Sequence, residues 1–161
     1  MATFKELGNK AFTQKDFQGA IDHFTKGIDE NPKDETLYSN RSACYYNLSN
    51  SLKALADAEK CIELKADWDK GHQRKAMALR LQGKYDDSIK CFEQSLALNA
   101  ANAQAKQGLE EVRKEKAASE SEDDGMFGPS AMAKLMANPR TAAYFQDPKF
   151  RNTFEICKQN P

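Results

Sequence analysis

The segment from Leu7 to Pro32 reads LGNKAFTQKDFQGAIDHFTKGIDENP, and its pattern of small and bulky residues returns twice along the chain. When the sequence is aligned with itself at a shift of 34 residues, Gly8 aligns with Ser42, and Ser42 aligns with Ala76. The other columns that fall into register are Ala11, Tyr45 and Leu79; Ala20, Ala54 and Ser88; Phe24, Ala58 and Phe92; and Pro32, Ala66 and Ala100. Small side chains suit positions where two helices approach closely, and bulky ones suit positions where helices interlock. A period of this length indicates a helical repeat array.

Each unit of the repeat has apolar residues at helical spacing and is interrupted at its middle by turn-forming residues. The turns in the middle of the units are Lys15-Asp16, Ser49-Asn50-Ser51 and Gly83-Lys84, and the segments between units are Asn31-Pro32-Lys33-Asp34, Lys65-Ala66-Asp67 and Asn99-Ala100-Ala101-Asn102. Valine-rich alternating runs are missing, and Val112 is the only valine. We therefore predict an all-α fold in which each unit is a helix, a short turn and an antiparallel helix.

The pattern Leu7-Gly8, Ala11, Ala20, Phe24 and Pro32 resembles the tetratricopeptide repeat (TPR), a helical hairpin whose period matches the one seen in this chain. The resemblance implies three TPR hairpins, residues 1–34, 35–68 and 69–102, stacked in a right-handed superhelix. Asn102 is suited to N-cap a further helix from Ala103 to about Lys116, which would cover the open end of the stack. The first domain is therefore predicted at residues 1–116. Ala66 and Ala100 depart from the family pattern, which has proline at that position.

The composition changes after this capping helix. Residues 117–125 are small and acidic, which predicts a flexible linker. Residues 126–161 contain short amphipathic segments punctuated by proline, and Asp147-Pro148 is typical of an N-cap followed by proline at the first helical position. This segment resembles the aspartate-proline-rich (STI1-type) module that follows a TPR domain in the Hsp-organising co-chaperone family. The resemblance implies a module cut short here, and so an N-terminal fragment of a longer protein.

Composition also narrows the class of protein. The chain has 161 residues with 24 Lys and Arg against 24 Asp and Glu, and a nucleic-acid binder would normally carry a basic excess. No run is apolar enough for a membrane span, and the segment from Met1 to Phe12 lacks the apolar core of a signal peptide. The four cysteines form no CxxC pair and indicate idle thiols in a reducing compartment. We predict a soluble, cytoplasmic, monomeric chain that binds neither nucleic acid nor membrane.

Enzymatic and metal sites have little support in the sequence. His23 and His72 have no cysteine or carboxylate at metal-ligand spacing, and Gly125 and Gly128 lack the lysine of a phosphate-binding loop. Cys44 lies on a repeat helix and is more typical of a core residue than of a nucleophile. We therefore predict no catalytic residues, no metal and no cofactor.

One face of the first helix of each repeat is predicted to line a groove. At about 100° per residue, repeat positions 2, 5, 6 and 9 fall at roughly 140° to 240°, opposite the core positions. The residues at these positions are Ala2, Lys5, Glu6 and Asn9; Thr36, Ser39, Asn40 and Ala43; and Lys70, Gln73, Arg74 and Met77. Three cations against one acid predict an electropositive groove, and the small residues of the second repeat would leave room for a bound backbone.

The family resemblance gives this face a specific role. The family's carboxylate clamp is a Lys and an Asn in repeat one, an Asn in repeat two, and a Lys and an Arg in repeat three. The matching residues, called the clamp residues below, are Lys5, Asn9, Asn40, Lys70 and Arg74. Lys and Arg supply charge-assisted hydrogen bonds and Asn amides donate to terminal oxygens, so the chemistry fits a C-terminal carboxylate. Weaker candidates for a pocket that holds residues upstream of that carboxylate are Phe12, Ala43, Asn47, Met77 and Arg80.

The resemblance implies a co-chaperone adaptor that binds the Glu-Glu-Val-Asp tails of heat-shock chaperones, with the seventy-kilodalton class favoured over the ninety-kilodalton class. Two alternatives stay open at this point. The chain could be the TPR domain of another co-chaperone that binds the ninety-kilodalton class, although the STI1-type segment argues against this. It could also be a structural scaffold that uses its convex face, in which case changes at the clamp residues would have no effect.

Overall fold

The structure, a computed structural model, describes residues 1–122, 133 and 135–159, and these residues form helices and turns with no strand. Seven helices come first: Phe4–Thr13 (α1), Phe17–Glu30 (α2), Glu35–Asn47 (α3), Ser51–Leu64 (α4), Asp69–Leu81 (α5), Tyr85–Leu98 (α6) and Ala103–Glu122 (α7). Pro139–Ala142 (α8), a 3₁₀ turn at Ala143–Gln146 and Pro148–Gln159 (α9) follow. The chain divides into two compact units, Met1–Lys114 and Glu115–Pro161.

The first unit is the predicted series of helical hairpins. Helices α1 and α2, α3 and α4, and α5 and α6 pack as antiparallel pairs, and each pair packs on the next. Thr3 starts α1 with a reciprocal capping box, since its side chain accepts from the Glu6 backbone and the Glu6 side chain accepts from the Thr3 backbone. Asn102 caps α7 as predicted, with its Oδ1 accepting from the Ala105 nitrogen at 3.0 Å.

The turn inside each hairpin uses one backbone conformation three times. Lys15, Ser49 and Gly83 occupy the same position of successive repeats and have φ values of 62°, 56° and 70°. A positive φ costs a residue with a Cβ about 1–2 kcal/mol, and glycine avoids most of that cost. Of these three turns, only the one in the third hairpin has glycine, Gly83, at the position with positive φ.

Small residues lie where the repeat predicted close helix approach. A Cβ built on Gly8 would lie 2.4 Å from the Phe24 ring. Gly108 on α7, which is outside the predicted repeat columns, packs in the same way, since a Cβ built on it would lie 2.4 Å from the Phe92 ring. Both rings are fully buried. Ser42 and Ser88 are buried too, and each hydroxyl donates to a backbone carbonyl of its own hairpin, Ala54 and Ala76, at 2.7 Å. Both buried hydroxyls therefore have a hydrogen-bond partner within the core.

A largely buried ion pair lies within the second hairpin, and its arginine also reaches the first hairpin. Arg41 on α3 donates from Nε and Nη2 to the two carboxylate oxygens of Asp57 on α4, at 2.8 and 2.7 Å. Its Nη1 reaches Thr25 on α2 at 3.0 Å, and the guanidinium lies near the rings of Tyr38 and Tyr45. Helical periodicity does not reveal this network, because its partners come from three different helices.

Helix α7 covers the end of the third hairpin. Ala105 and Val112 are fully buried in a cluster with Phe92 and Leu79. The helix extends to Glu122, so the prediction that residues 117–122 belong to a flexible linker is wrong. Ala117, Ala118 and Glu120 favour helix intrinsically, and the lack of large apolar residues only means that this part of the helix buries no apolar face.

The second unit contains α8 and α9. Asn138 caps α8, and Asp147 Oδ1 accepts from the Lys149 nitrogen at 2.9 Å, as its predicted N-cap role requires. The Tyr144 and Phe150 rings lie 5.9 Å apart. The predictions for residues 123–132 fall outside the described residues. In the described part of the chain, no helix is both long enough and apolar enough to span a membrane.

Candidate peptide-binding groove

Three of the five clamp residues meet at one small cavity. Asn9 on α1, Asn40 on α3 and Arg74 on α5 line a space of about 70 Å³, together with Phe12, Phe24 and Ala43. Asn40 Nδ2 donates to Asn9 Oδ1 at 3.0 Å, which joins the amides of two different repeats. Because the Asn9 oxygen is used as an acceptor, the Asn9 nitrogen is left as a donor. The cavity therefore combines amide donors and a guanidinium over an aromatic wall.

Arg74 is the most unusual group at this cavity. Its side chain is half-buried, and its Nε is fully enclosed and has no hydrogen-bond partner among the described residues. Burial lowers the pKa of the guanidinium, because desolvation penalises the charged form. Its Nη1 donates to the Met77 sulfur at 3.7 Å, which is a weak acceptor. Among the described residues nothing accepts a hydrogen bond from this enclosed Nε, so an anion that reached it would satisfy a buried charged donor.

The two lysines of the clamp lie outside the lining of this cavity. Lys5 Nζ forms an ion pair with Asp34 Oδ2 at 3.2 Å, and Lys70 Nζ lies 6.0 Å from the centroid of the Trp68 ring. Lys70 is exposed, and the Lys5 side chain is 40% exposed. Helical spacing could not predict Asp34 and Trp68 as partners, because both belong to the segments between the hairpins.

Two residues predicted to face the groove are buried instead. Ser39 and Gln73 are 1% and 3% exposed. Gln73 donates to Gln104 Oε1 at 3.1 Å and accepts from Asn102 at 3.0 Å, so it joins α5 to α7 and to the N-cap residue of α7. A helical wheel treats each helix alone, so it takes no account of the neighbouring helices that bury these two positions. Gln73 nevertheless lines a cavity with Met77 and Arg80.

The candidates for the upstream pocket separate into two groups. Phe12 and Ala43 line the cavity with Arg74, whereas Met77 and Arg80 line a second cavity of about 160 Å³. The other residues around the second cavity are Tyr46, Gln73, Phe92, Gln104, Gln107, Gly108 and Glu111. Asn47 lines neither cavity, since its amide donates to its own helix at the Ala43 carbonyl, 2.8 Å away.

The second cavity is the repeat equivalent of the first. Met77, Arg80 and Phe92 stand two repeats after Asn9, Phe12 and Phe24. The chemistry changes because Arg80 Nη1 donates to Glu111 Oε2 on α7 at 2.6 Å. A bond from Gln107 and this ion pair hold the pKa of Glu111 below its usual value. The capping helix thus supplies part of the lining of this cavity, which the repeat pattern does not predict.

Cys44 and Cys61 are buried thiols on helices α3 and α4. Burial raises the pKa of the Cys44 and Cys61 thiols to about 12, so both are protonated at neutral pH. Among the described residues, no group of three or more His, Cys, Asp or Glu side chains could hold a metal ion.

The fold and the site define a domain of repeated helical hairpins whose groove presents amide and guanidinium donors. Comparison with known proteins gives the family. Residues 69–102 match the family model "Tetratricopeptide repeat", and residues 128–161 match "STI1/HOP, DP domain". The heat shock protein sti1 homolog of Schizosaccharomyces pombe is 39% identical over 98% of this chain, and the heat shock protein STI1 of Saccharomyces cerevisiae is 37% identical over the same share. The chain belongs to this Sti1/Hop family of TPR proteins. It spans 28% of the length of both relatives.

Solved structures agree with this assignment. The first TPR of Spaghetti (RPAP3), bound to the HSP90 peptide SRMEEVD, is 31% identical with a TM-score of 0.66 and aligns 71% of this chain with 90% of its own. The second TPR domain of human RPAP3, in complex with the HSP70 peptide SGPTIEEVD, is 27% identical with a TM-score of 0.65, covering 69% and 92% of the two chains.

Proposed function

We propose that this chain is a non-catalytic, cytoplasmic adaptor segment that binds the acidic C-terminal tails of heat-shock chaperones, with the seventy-kilodalton class preferred. The observation that carries the proposal is Arg74, whose enclosed Nε has no partner among the described residues, beside the joined amides of Asn9 and Asn40. The two solved TPR domains described above hold peptides that end in Glu-Glu-Val-Asp, which supports the same class of ligand for this chain.

The clamp residues would contact different parts of the peptide, according to where they lie in the groove. The cavity of Asn9, Asn40 and Arg74 would take the terminal carboxylate, because charge-assisted bonds from Arg and neutral donors from Asn together satisfy several oxygen lone pairs. Lys5 and Lys70, outside the cavity lining, would pair with the acidic side chains of the tail. Such a site requires a free C-terminus, which an acidic segment in the interior of a protein lacks.

The second cavity would receive a side chain upstream of the tail. The two cavities share helix α5: Arg74 lines the first, Met77 lines the second, and Arg74 Nη1 lies 3.7 Å from the Met77 sulfur. An extended peptide advances about 3.3 Å per residue, so the residue that enters the second cavity would lie only a few positions before the C-terminus. Met77 and Phe92 give this cavity an apolar part, which suits an uncharged side chain.

The proposal is tested with the peptide SGPTIEEVD as a free acid and as a C-terminal amide. Amidation removes one charge and places an amide nitrogen against donors, which leaves buried N–H groups unpaired at about 1–3 kcal/mol. We expect micromolar affinity for the acid and a loss of about tenfold or more for the amide in calorimetric titration. Equal affinities would refute the clamp and favour a nonspecific basic groove.

A second titration separates the two chaperone classes. SRMEEVD and SGPTIEEVD share their final Glu-Glu-Val-Asp and differ upstream, where the second cavity lies. A preference for SGPTIEEVD that disappears after Met77→Ala would assign the selectivity to that cavity, whereas tighter binding of SRMEEVD would reverse the proposed order of partners.

A further inference from the structure

The two lysines of the clamp are held by side chains at one repeat position. Asp34, Trp68 and Asn102 occupy the same position of successive repeats and directly precede α3, α5 and α7. Asp34 pairs with Lys5 through a carboxylate at 3.2 Å, and Trp68 offers Lys70 the face of its ring at 6.0 Å. Lys5 on α1 therefore reaches the N-cap residue of the next first helix, α3, whereas Lys70 reaches the N-cap residue of its own helix, α5.

Asp34 is held firmly in the position from which it reaches Lys5. Its Oδ1 accepts from the Thr36 backbone nitrogen at 2.9 Å and from the Thr36 hydroxyl, which leaves Oδ2 for the Lys5 ammonium. Burial alone would raise the pKa of Asp34, but the bonds from Thr36 and Lys5 outweigh it and keep the pKa below its usual value. Asp34 is thus a fixed negative charge at neutral pH, because its anchoring does not depend on Lys5 alone.

We propose that Asp34 is a positioning residue that holds the Lys5 ammonium at the edge of the groove and, as an internal carboxylate, competes with the bound peptide for it. This inference rests on the proposed function. A peptide carboxylate that contacts Lys5 would share one ammonium with Asp34, so two like charges would lie about 6 Å apart. Asp34 therefore limits the affinity of the groove for acidic tails.

Lys70 differs from Lys5 in the chemistry of the group that holds it. In the described part of the chain, Lys70 lies against the Trp68 ring, which attracts the ammonium through its quadrupole and carries no net charge. Lys70 consequently keeps its full charge for an incoming carboxylate while its position is restrained. The two lysines, both named by the family's motif, thus have different surroundings in the folded protein.

The test is the substitution Asp34→Asn, which keeps a capping oxygen for Thr36 and removes the charge that faces Lys5. We expect this variant to bind free-acid SGPTIEEVD about three- to tenfold more tightly in calorimetric titration at low salt. Glu35→Gln is the matched control, because it removes a negative charge one residue away that pairs with Lys65 at 3.4 Å. The control should change affinity by less than about twofold.

A double-mutant cycle with Lys5→Ala shows whether Asp34 acts through Lys5. The gain in peptide affinity from Asp34→Asn should disappear in the Lys5→Ala background, because that variant has no ammonium for which Asp34 could compete. Unchanged or weaker binding by Asp34→Asn, an equal gain from Glu35→Gln, or a gain that survives Lys5→Ala would each overturn the inference. If Asp34→Asn unfolds at a lower temperature, Asp34→Ser repeats the test with an uncharged capping side chain.

Titration of the wild-type protein with free-acid and amidated peptide, run beside the variants, separates the two proposals. Discrimination between these peptides together with an inert Asp34→Asn would refute only the role of Asp34. Equal binding of the two peptides, or binding of neither, would refute the proposed function and this inference with it.

Discussion

Replacing Arg74 by methionine tests whether the groove is built for an anion at the expense of stability. Methionine keeps an unbranched side chain in the same space but removes the enclosed Nε that has no partner among the described residues. An unsatisfied buried donor costs about 1–3 kcal/mol, so the free energy of unfolding should rise by about 1–2 kcal/mol. For a unit of this size that corresponds to roughly 4–8 °C in Tm.

The same substitution should weaken binding. Loss of the charge-assisted bonds to a terminal carboxylate costs about 1.5–3 kcal/mol, which corresponds to roughly 10- to 150-fold in the Kd for free-acid SGPTIEEVD. Stability and affinity therefore change in opposite directions, which is the signature of a residue kept for function. Arg74→Ala should be closer to neutral in stability, because it also removes the packing of the methylene stem.

Urea unfolding followed by the fluorescence of Trp68, the single tryptophan, measures the first quantity, and calorimetric titration measures the second. Arg113→Met is the control, since Arg113 is exposed on α7 and pairs with Glu93 across a solvated 3.0 Å contact. It should change stability by no more than about 0.5 kcal/mol. A less stable Arg74→Met would show that the guanidinium is satisfied in the free protein, and an unchanged Kd would remove Arg74 from the binding site.

Two further predictions concern the scaffold. Ser49→Gly should raise and Gly83→Ala should lower the free energy of unfolding, by up to about 1 kcal/mol each, because both turns have positive φ. Urea denaturation measures both changes, and a less stable Ser49→Gly or a more stable Gly83→Ala would contradict the turn argument. Asp57→Ala should cost about 3–5 kcal/mol by leaving Arg41 buried without its carboxylate, while the double change Arg41→Met with Asp57→Leu should recover most of that loss; additive losses in the double variant would show that the two residues act independently.

Much of the fold followed from local patterns. The period of the repeat predicted the hairpins, and the cap residues predicted where α7 and α9 begin. The caps and the helical spacing within each hairpin depend on residues a few positions apart, so they are readable along the chain. The flexible linker was mispredicted as far as Glu122, because missing apolar residues show that a segment buries no face but do not prevent a helix.

Of the five residues that the motif named, three line one cavity and the two lysines lie outside its lining. Their surroundings could not be predicted from the motif: Arg74 Nε is enclosed without a partner among the described residues, while Lys5 is already paired with Asp34. The sequence pattern also did not predict that Gln73 is buried or that Glu111 pairs with Arg80. Each of these outcomes depends on how the side chains of different helices are brought together by folding.

The sequence by itself determined the all-helical repeat, the positions of the turns and the residue types on the first helices, since periodicity and capping are set by near neighbours. Tertiary structure alone decided which of those residues share a cavity, which are sealed between helices and which cations have counter-charges. The physical reason is that charge and burial depend on distances in space, and stacking brings together residues nearly a full repeat apart in the chain, such as Asn9 with Asn40 and Lys5 with Asp34.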